Sequence, residues 1–93
     1  MKYKYRKELI YHHTELELKP LLQMAKEFEG DIQVEKTNLV QQPATASIPI
    51  IKFTVQAKTF SHAVKIADEL QTSLQYQKAR LISETTVNYV YVK

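Results

Sequence analysis

Two adjacent histidines, His12 and His13, are the side chains of this sequence best suited to proton or phosphoryl transfer. An imidazole titrates near neutral pH and can accept a proton, bind an anion or receive a phosphoryl group. A metal site would need one of these histidines or His62 to meet carboxylates, and no helical His-x-x-x-His or Glu-x-x-His pair stands in a suitable setting. We therefore expect no metal site and no cofactor.

Hydrolytic chemistry needs a nucleophile, a base and an oxyanion hole, and the last usually lies in a glycine-bearing turn. The 93-residue chain has one glycine, Gly30, and no cysteine. The lack of cysteine excludes thiolate nucleophiles, disulfides and cysteine-bound metals. We predict a protein that is not an enzyme and has no catalytic residues. The acidic side chains have the spacing of helix-surface residues: Glu15, Glu17, Glu27, Glu29, Asp68 and Glu69.

The remaining chemical signal is a basic, tyrosine-rich segment at the amino terminus. Tyrosine rings can stack on unpaired bases while lysine and arginine bind phosphates. The formal net charge of +3 is compatible with an acidic partner but is too small to establish one. The candidate contact residues, for nucleic acid or for a protein partner, are Tyr3, Lys4, Tyr5, Arg6 and Lys52.

The orientation of the tyrosines separates two interpretations of this segment. In an extended strand, Tyr3, Tyr5 and Tyr11 share one face, and Lys4 and Arg6 lie on the other. Tyrosines on the open side of a sheet would form a stacking surface for single-stranded nucleic acid. Tyrosines directed at covering helices would enlarge the core and leave a polar face of mixed charge outside.

The elements that position these residues begin with a predicted strand from Lys2 to His12 and an amphipathic helix after it. A capping-box pattern begins at Thr14, whereas Pro20, which is tolerated only in a first turn, favours a helix start near Leu18. Gly30 stands where a left-handed cap ends a helix. The predicted buried stripe of this helix is Leu18, Leu21, Leu22, Ala25 and Phe28.

Alternating apolar and polar residues predict a second strand over Asp31–Lys36, which Leu39 and Val40 could extend, and a third over Ile48–Ala57. The small and polar residues of Thr37–Ser47 predict a long hairpin connection between them. The third strand is expected to direct Ile51, Phe53, Val55 and Ala57 at the core.

A second helix is predicted from a cap at Thr59 to about Gln77, and a last strand over Leu81–Val92. His62 is expected to stabilise the first turn of this helix. The predicted buried stripe is Phe60, Ala63, Ala67, Leu70 and Leu74, flanked by Val64 and Ile66.

This element order resembles that of ferredoxin-like, or split βαβ, domains over the whole chain. The resemblance implies one α+β domain over residues 1–93, with a four-stranded antiparallel βαββαβ sheet and both helices on one face. Many unrelated families share this order, so it does not identify a function.

A second, local resemblance covers Leu21 to Glu35, which is similar to the first helix and second strand of HPr, the phosphocarrier of the sugar phosphotransferase system. In that family the active histidine precedes an Ala-Arg-Pro sequence at the helix start. Here Lys19 stands in place of the arginine, and Pro20 is far from His13. The active-site motif is therefore absent.

We expect a non-enzymatic binding or assembly module that acts through its open sheet face and the long hairpin. The expected partner is a second copy of the chain, in a homodimer or a larger assembly, with exposed tyrosines, Ile10 or Ile50 as the apolar contact. The alternatives are a single-stranded nucleic-acid binder, a small-ligand sensor and an HPr-like phosphocarrier. Since no apolar run is long enough to span a bilayer, a cytoplasmic protein is expected.

Overall fold

The computed structural model describes residues 3–40 and 47–90, which form an α+β domain with a five-stranded antiparallel sheet and two helices. The residues 41–46 of the predicted hairpin connection lie outside the described residues. No helix of the described ranges is long and apolar enough to cross a membrane. The elements are β1 (Tyr5–His12), α1 (Lys19–Glu27), β2 (Gly30–Val40), β3 (Ser47–Ala57), α2 (Phe60–Tyr76), β4 (Leu81–Glu84) and β5 (Asn88–Tyr89).

The strand order of the sheet is β2-β3-β1-β4, and β5 also pairs with β1. All the pairs are antiparallel, and β1 lies against β3 along its whole length, from Tyr5 opposite Ala57 to His12 opposite Ile50. β2 and β3 pair as far as Val40 opposite Ser47. The predicted second strand therefore does extend through Val40, into the segment assigned to the connection.

Alternating burial along β1 and β3 shows which side of the sheet the helices cover. The odd-numbered residues of β3 from Ile51 to Ala57 are buried, as predicted, in one cluster with residues of both helices. The intervening β3 residues are half-buried, which is what a sheet with one covered and one open face gives. The fully buried side chains of largest volume are Phe53, Leu9, Ile51, Ile66, Leu70, Leu74 and Val55.

The helix starts follow the local signals in the sequence. Thr59 is the N-cap of α2, and its hydroxyl oxygen accepts a 3.2 Å hydrogen bond from the backbone N–H of His62. α1 has Leu18 as N-cap without a side-chain hydrogen bond, and Pro20 lies within its first turn. The start near Leu18 is therefore confirmed, and the capping-box alternative at Thr14 is wrong.

The conformation predicted for Gly30 is wrong. The left-handed residue after α1 is Glu29, with φ of 56°, while Gly30 has no positive φ and begins β2. Gly30 is required for a different reason: a Cβ there would lie 2.5 Å from the backbone oxygen of Gln56 and closer still to the side chain of Ile66. The glycine lets α2 approach the sheet closely.

Three further predictions need correction. The last strand is divided into β4 and β5, and the pairing of β4 with β1 has a register shift between Ile10 and Tyr11. Leu22 is 37% exposed and Phe60 is 54% exposed, although both were placed in buried stripes. Helical spacing identifies one face of a helix, but the neighbouring elements determine how much of that face is covered.

Candidate functional site: the open face of the sheet

The tyrosines of β1 face the helices. The ring of Tyr5 packs edge-on against Phe60 and Tyr89, with ring centroids 5.8 and 5.4 Å apart. Tyr11 packs in the same way on Phe53 and is 4% exposed. These rings therefore enlarge the core, and they do not form a stacking surface on the open face.

The open face is formed by the alternate residues Arg6, Glu8, Ile10 and His12 of β1 and by their neighbours on β2 and β3. The register places Gln56 between Arg6 and Asp31 in one row across the sheet. The next row is Glu8, Thr54 and Gln33, followed by Ile10, Lys52 and Glu35, then His12, Ile50 and Thr37, and last Ile48 and Leu39.

The charged side chains of this face alternate in sign. Nζ of Lys52 lies 3.1 Å from Oε2 of Glu8, and Glu35 is the strand partner of Lys52 on its other side. With Arg6 and Asp31, these rows carry two cations and three carboxylates, although the chain as a whole has a net charge of +3. Carboxylates therefore outnumber cations within the rows, which does not favour phosphate binding there.

An aliphatic patch covers the other end of this face, defined by Ile10, Leu39, Ile48 and Ile50. Leu39 and Ile48 are opposite each other across β2 and β3, and Ile50 is the next outward residue of β3. Ile50 is only 3% exposed, yet it is not part of the helix-side core cluster. The other three are half-buried, so part of their apolar surface is accessible on a face that α1 and α2 do not cover.

The guanidinium of Arg6 is incompletely satisfied. Its Nε atom is buried and has no hydrogen-bond partner among the described residues. Buried polar groups in native proteins are almost always paired, so this unpaired donor is an exception among the polar atoms of the face. Its strand neighbours on the two sides are Gln56 and Asn88.

A polar cluster on the helix side of the sheet has no counterpart in the sequence analysis. The Lys7 residue is 9% exposed, and its ammonium group donates to Oε1 of Glu84 at 2.8 Å and to the backbone oxygen of Thr85 at 2.6 Å. Gln71 of α2 donates to the same carboxylate oxygen at 3.2 Å. The burial of Lys7 could not be predicted from the sequence, because Lys7 stands among other cations near the amino terminus and its partners are distant in the chain.

The cluster changes the acidity of two groups. The hydrogen bond from Lys7 lowers the pKa of Glu84, assisted by the charge of Lys7 and the bond from Gln71, and partial desolvation opposes this. Burial raises the pKa of Tyr11, and the negative charge of Glu84 adds to that effect. Glu84 is therefore ionised at neutral pH, and its hydrogen bond from Lys7 joins β1 to β4.

The residues predicted to bind a partner are not brought to one surface. Tyr5 faces the helices, whereas Arg6 and Lys52 are on the open face, two rows apart. Tyr3 is half-buried and lines a small cavity with Lys58, and Lys4 is exposed. Of the predicted set, Arg6 and Lys52 contribute to the open face, and the aliphatic patch lies beside them. The sequence indicated this patch only through Ile10 and Ile50, and the predicted exposure of Ile50 is wrong, because that residue is 3% exposed.

The two adjacent histidines lie where β1 ends. His12 ends β1 beside Ile50, and the exposed His13 donates its backbone N–H to the Pro49 oxygen at 3.0 Å. Residues 3–40 and 47–90 hold no group of three histidine or acidic side chains placed to bind a metal ion. A cleft of about 410 Å³ between the helices is lined by Leu21, Met24 and Tyr76, among others.

Neither a protein-family model nor a curated protein matches this chain.

Proposed function

We propose that this chain is a non-enzymatic binding and assembly module that associates with a second copy of itself through the open face of its sheet. The observation that supports this proposal is the aliphatic patch of Ile10, Leu39, Ile48 and Ile50 on the face opposite the helices. Burial of apolar surface is the main favourable term in protein association. Ile10, Leu39 and Ile48 are half-buried, so each leaves part of its apolar surface accessible on this face.

Charge complementarity favours a second copy as the partner. Glu8 lies in the row next to that of Lys52 and Glu35, and these three residues carry both signs, as do Arg6 and Asp31 within one row. A two-fold axis makes one surface contact itself, so each cation of one copy can meet a carboxylate of the other.

The proposal includes the ferredoxin-like arrangement of four strands. It is supported by the order β2-β3-β1-β4 and by the pairing of both β4 and β5 with β1, since the two short strands together occupy the place of one interrupted strand. A cytoplasmic location is also part of the proposal, and the absence of cysteine supports it.

The experiment is a measurement of mass by light scattering over a range of protein concentrations. We expect the wild-type mass to reach at least twice the 10.9 kDa of one chain. Ile10→Lys puts a charge in the aliphatic patch and is expected to lower the mass at the same concentration. Leu22→Lys is the matched control, because Leu22 is 37% exposed on α1, at the opposite side of the sheet, and its substitution should leave the mass unchanged.

Two results would count against the proposal. A wild-type mass of one chain at the highest concentration would remove it, and an equal effect of both lysine variants would assign the loss to destabilisation. Fluorescence anisotropy with a single-stranded oligonucleotide tests the nucleic-acid alternative on the same samples. Binding that weakens between about 50 and about 200 mM salt would favour that alternative.

A further inference from the structure

We infer that the outer edge of β2 is a second interaction surface, on which β2 of another copy pairs as an antiparallel strand. This surface is distinct from the open face, because it uses backbone groups in the plane of the sheet. β2 is the terminal strand in the order β2-β3-β1-β4, and among the described residues it pairs with β3 alone. Its second row of backbone N–H and C=O groups is thus available to another strand.

The two edges of the sheet differ in their suitability for pairing. β2 runs without interruption over Gly30–Val40 and contains no proline. The opposite edge is formed by the four residues of β4, a register shift and the two residues of β5. Short strands and bulges are two common protections of an edge against association, and the opposite edge has both whereas β2 has neither.

Side-chain chemistry selects the register in which two copies of β2 can pair. A two-fold axis perpendicular to the sheet keeps each face on its own side, so open-face residues meet open-face residues. An axis at Glu35 or at Lys36 would place like charges directly opposite each other, which is unfavourable. An axis at Val34 avoids the Glu35–Glu35 and Lys36–Lys36 contacts and lets residues 30–38 of the two copies pair. An axis at Thr37 also avoids them, but it pairs only the shorter segment 34–40.

The register centred on Val34 is complementary on both faces of the sheet. On the open face a carboxylate meets a hydrogen-bond donor in each pair, and on the helix side apolar surface meets apolar surface or a lysine stem, which can cover it. Val34 is half-buried, and Lys36 is exposed. The pairs, each between one copy and the other, are Val34 with Val34, Gln33 with Glu35, Asp31 with Thr37, and Ile32 with Lys36. This complementarity with itself is why the partner is a second copy.

Cysteine cross-linking tests the inference, since the natural chain has no cysteine. Val34→Cys places two thiols at the two-fold axis, where directly opposed Cβ atoms lie about 4.5 to 5.5 Å apart. Asn38→Cys is the matched control, on the same strand and the same side but more exposed than Val34. With a mild oxidant or a short bismaleimide, we expect roughly tenfold more cross-linked dimer from Val34→Cys than from the control, because pairing raises the local thiol concentration.

Both cysteine substitutions are made in a chain that also carries Ile10→Lys, which removes the open-face contact. Light scattering on the wild type and on Ile10→Lys tests that contact separately, so a failure of the proposed open-face dimer can be told apart from a failure of the strand pairing. Equal cross-linking at the two positions, or none at Val34, would overturn the strand pairing. A second measurement avoids thiols: Val34→Lys and Val34→Glu should each be monomeric in that background and should form a mixed dimer when combined. Absence of the mixed dimer from two folded variants would also overturn the inference.

Discussion

The Nζ atom of Lys7 lies 2.8 Å from Oε1 of Glu84. This nearly buried ammonium group belongs to the inner strand β1 and lies on the side of the sheet that faces the helices. The side chain of Lys7 is 11% exposed and that of Glu84 is 40% exposed. The pair joins β1 to β4, an edge strand of four residues. Because a buried charge needs a partner, the position of this short strand depends on the carboxylate.

Removal of that carboxylate is expected to destabilise the fold. Glu84→Gln should lower the free energy of unfolding by about 1 to 2 kcal/mol, since Lys7 keeps the backbone oxygen of Thr85 but loses its charged partner. Glu8→Gln is the control, because the pair of Glu8 with Lys52 is one-third exposed and should contribute about 0 to 1 kcal/mol. Urea unfolding measures both, and equal effects would contradict the structural role given to Lys7.

The pair of Lys7 and Glu84 makes the free energy of unfolding depend on pH. The pKa of Glu84 is lower in the folded chain than its ordinary value of 4.5, mainly through the hydrogen bond from Lys7. The stabilisation is therefore present above that ordinary value and is lost as the pH falls through the folded-state pKa. The difference in unfolding free energy between wild type and Glu84→Gln should shrink from about pH 7 to about pH 3. A constant difference would show that Glu84 does not titrate as described.

The parts of the fold with local causes were predictable from the sequence. The alternation of apolar and polar residues along β3 predicted which side chains face the core, and Thr59, as a capping residue, predicted where α2 begins. These signals act over a few residues, so they can be identified without knowledge of the tertiary structure.

Features that depend on distant residues were not predictable. The partner of Lys7 is 77 positions away, and the close approach at Gly30 comes from Ile66 on another element. The candidate site was predicted in part: Arg6 and Lys52 lie on the open face, but the register that places Leu39 and Ile48 beside Ile50 depends on how β2 and β3 pair. Two orientations of the tyrosines fitted the sequence equally, because period-two alternation does not say which face the helices cover.

Opposite substitutions at two neighbouring residues test the assignment of the left-handed position. Gly30→Ala should destabilise the protein by about 1 to 3 kcal/mol, because the new methyl group meets Ile66 and the backbone of Gln56. Glu29→Gly should stabilise it by up to about 1 kcal/mol, since φ of 56° strains a residue with a side chain. Thermal unfolding followed by circular dichroism measures both. If Gly30→Ala were neutral, the approach of α2 would be looser than described.

The side-chain amide of Gln77 forms two hydrogen bonds with the backbone of Glu17, as a paired backbone segment would. Its Oε1 accepts from the Glu17 N–H at 2.7 Å, and its Nε2 donates to the Glu17 carbonyl oxygen at 3.1 Å. These bonds hold the segment before α1 to the end of α2. Gln77→Ala should therefore speed hydrogen exchange at the Glu17 amide and lower the unfolding free energy by about 1 kcal/mol. Gln75→Ala is the control, at an exposed glutamine near the same helix end.

Gln77→Glu separates the donor from the acceptor at this position. The carboxylate can still accept from the Glu17 N–H, but it cannot donate, and it faces the Glu17 carbonyl oxygen. The free energy of unfolding should therefore be lower than in the wild type at neutral pH, as measured by urea unfolding. If Gln77→Glu is as stable as the wild type, the Nε2 bond does not contribute to holding this segment.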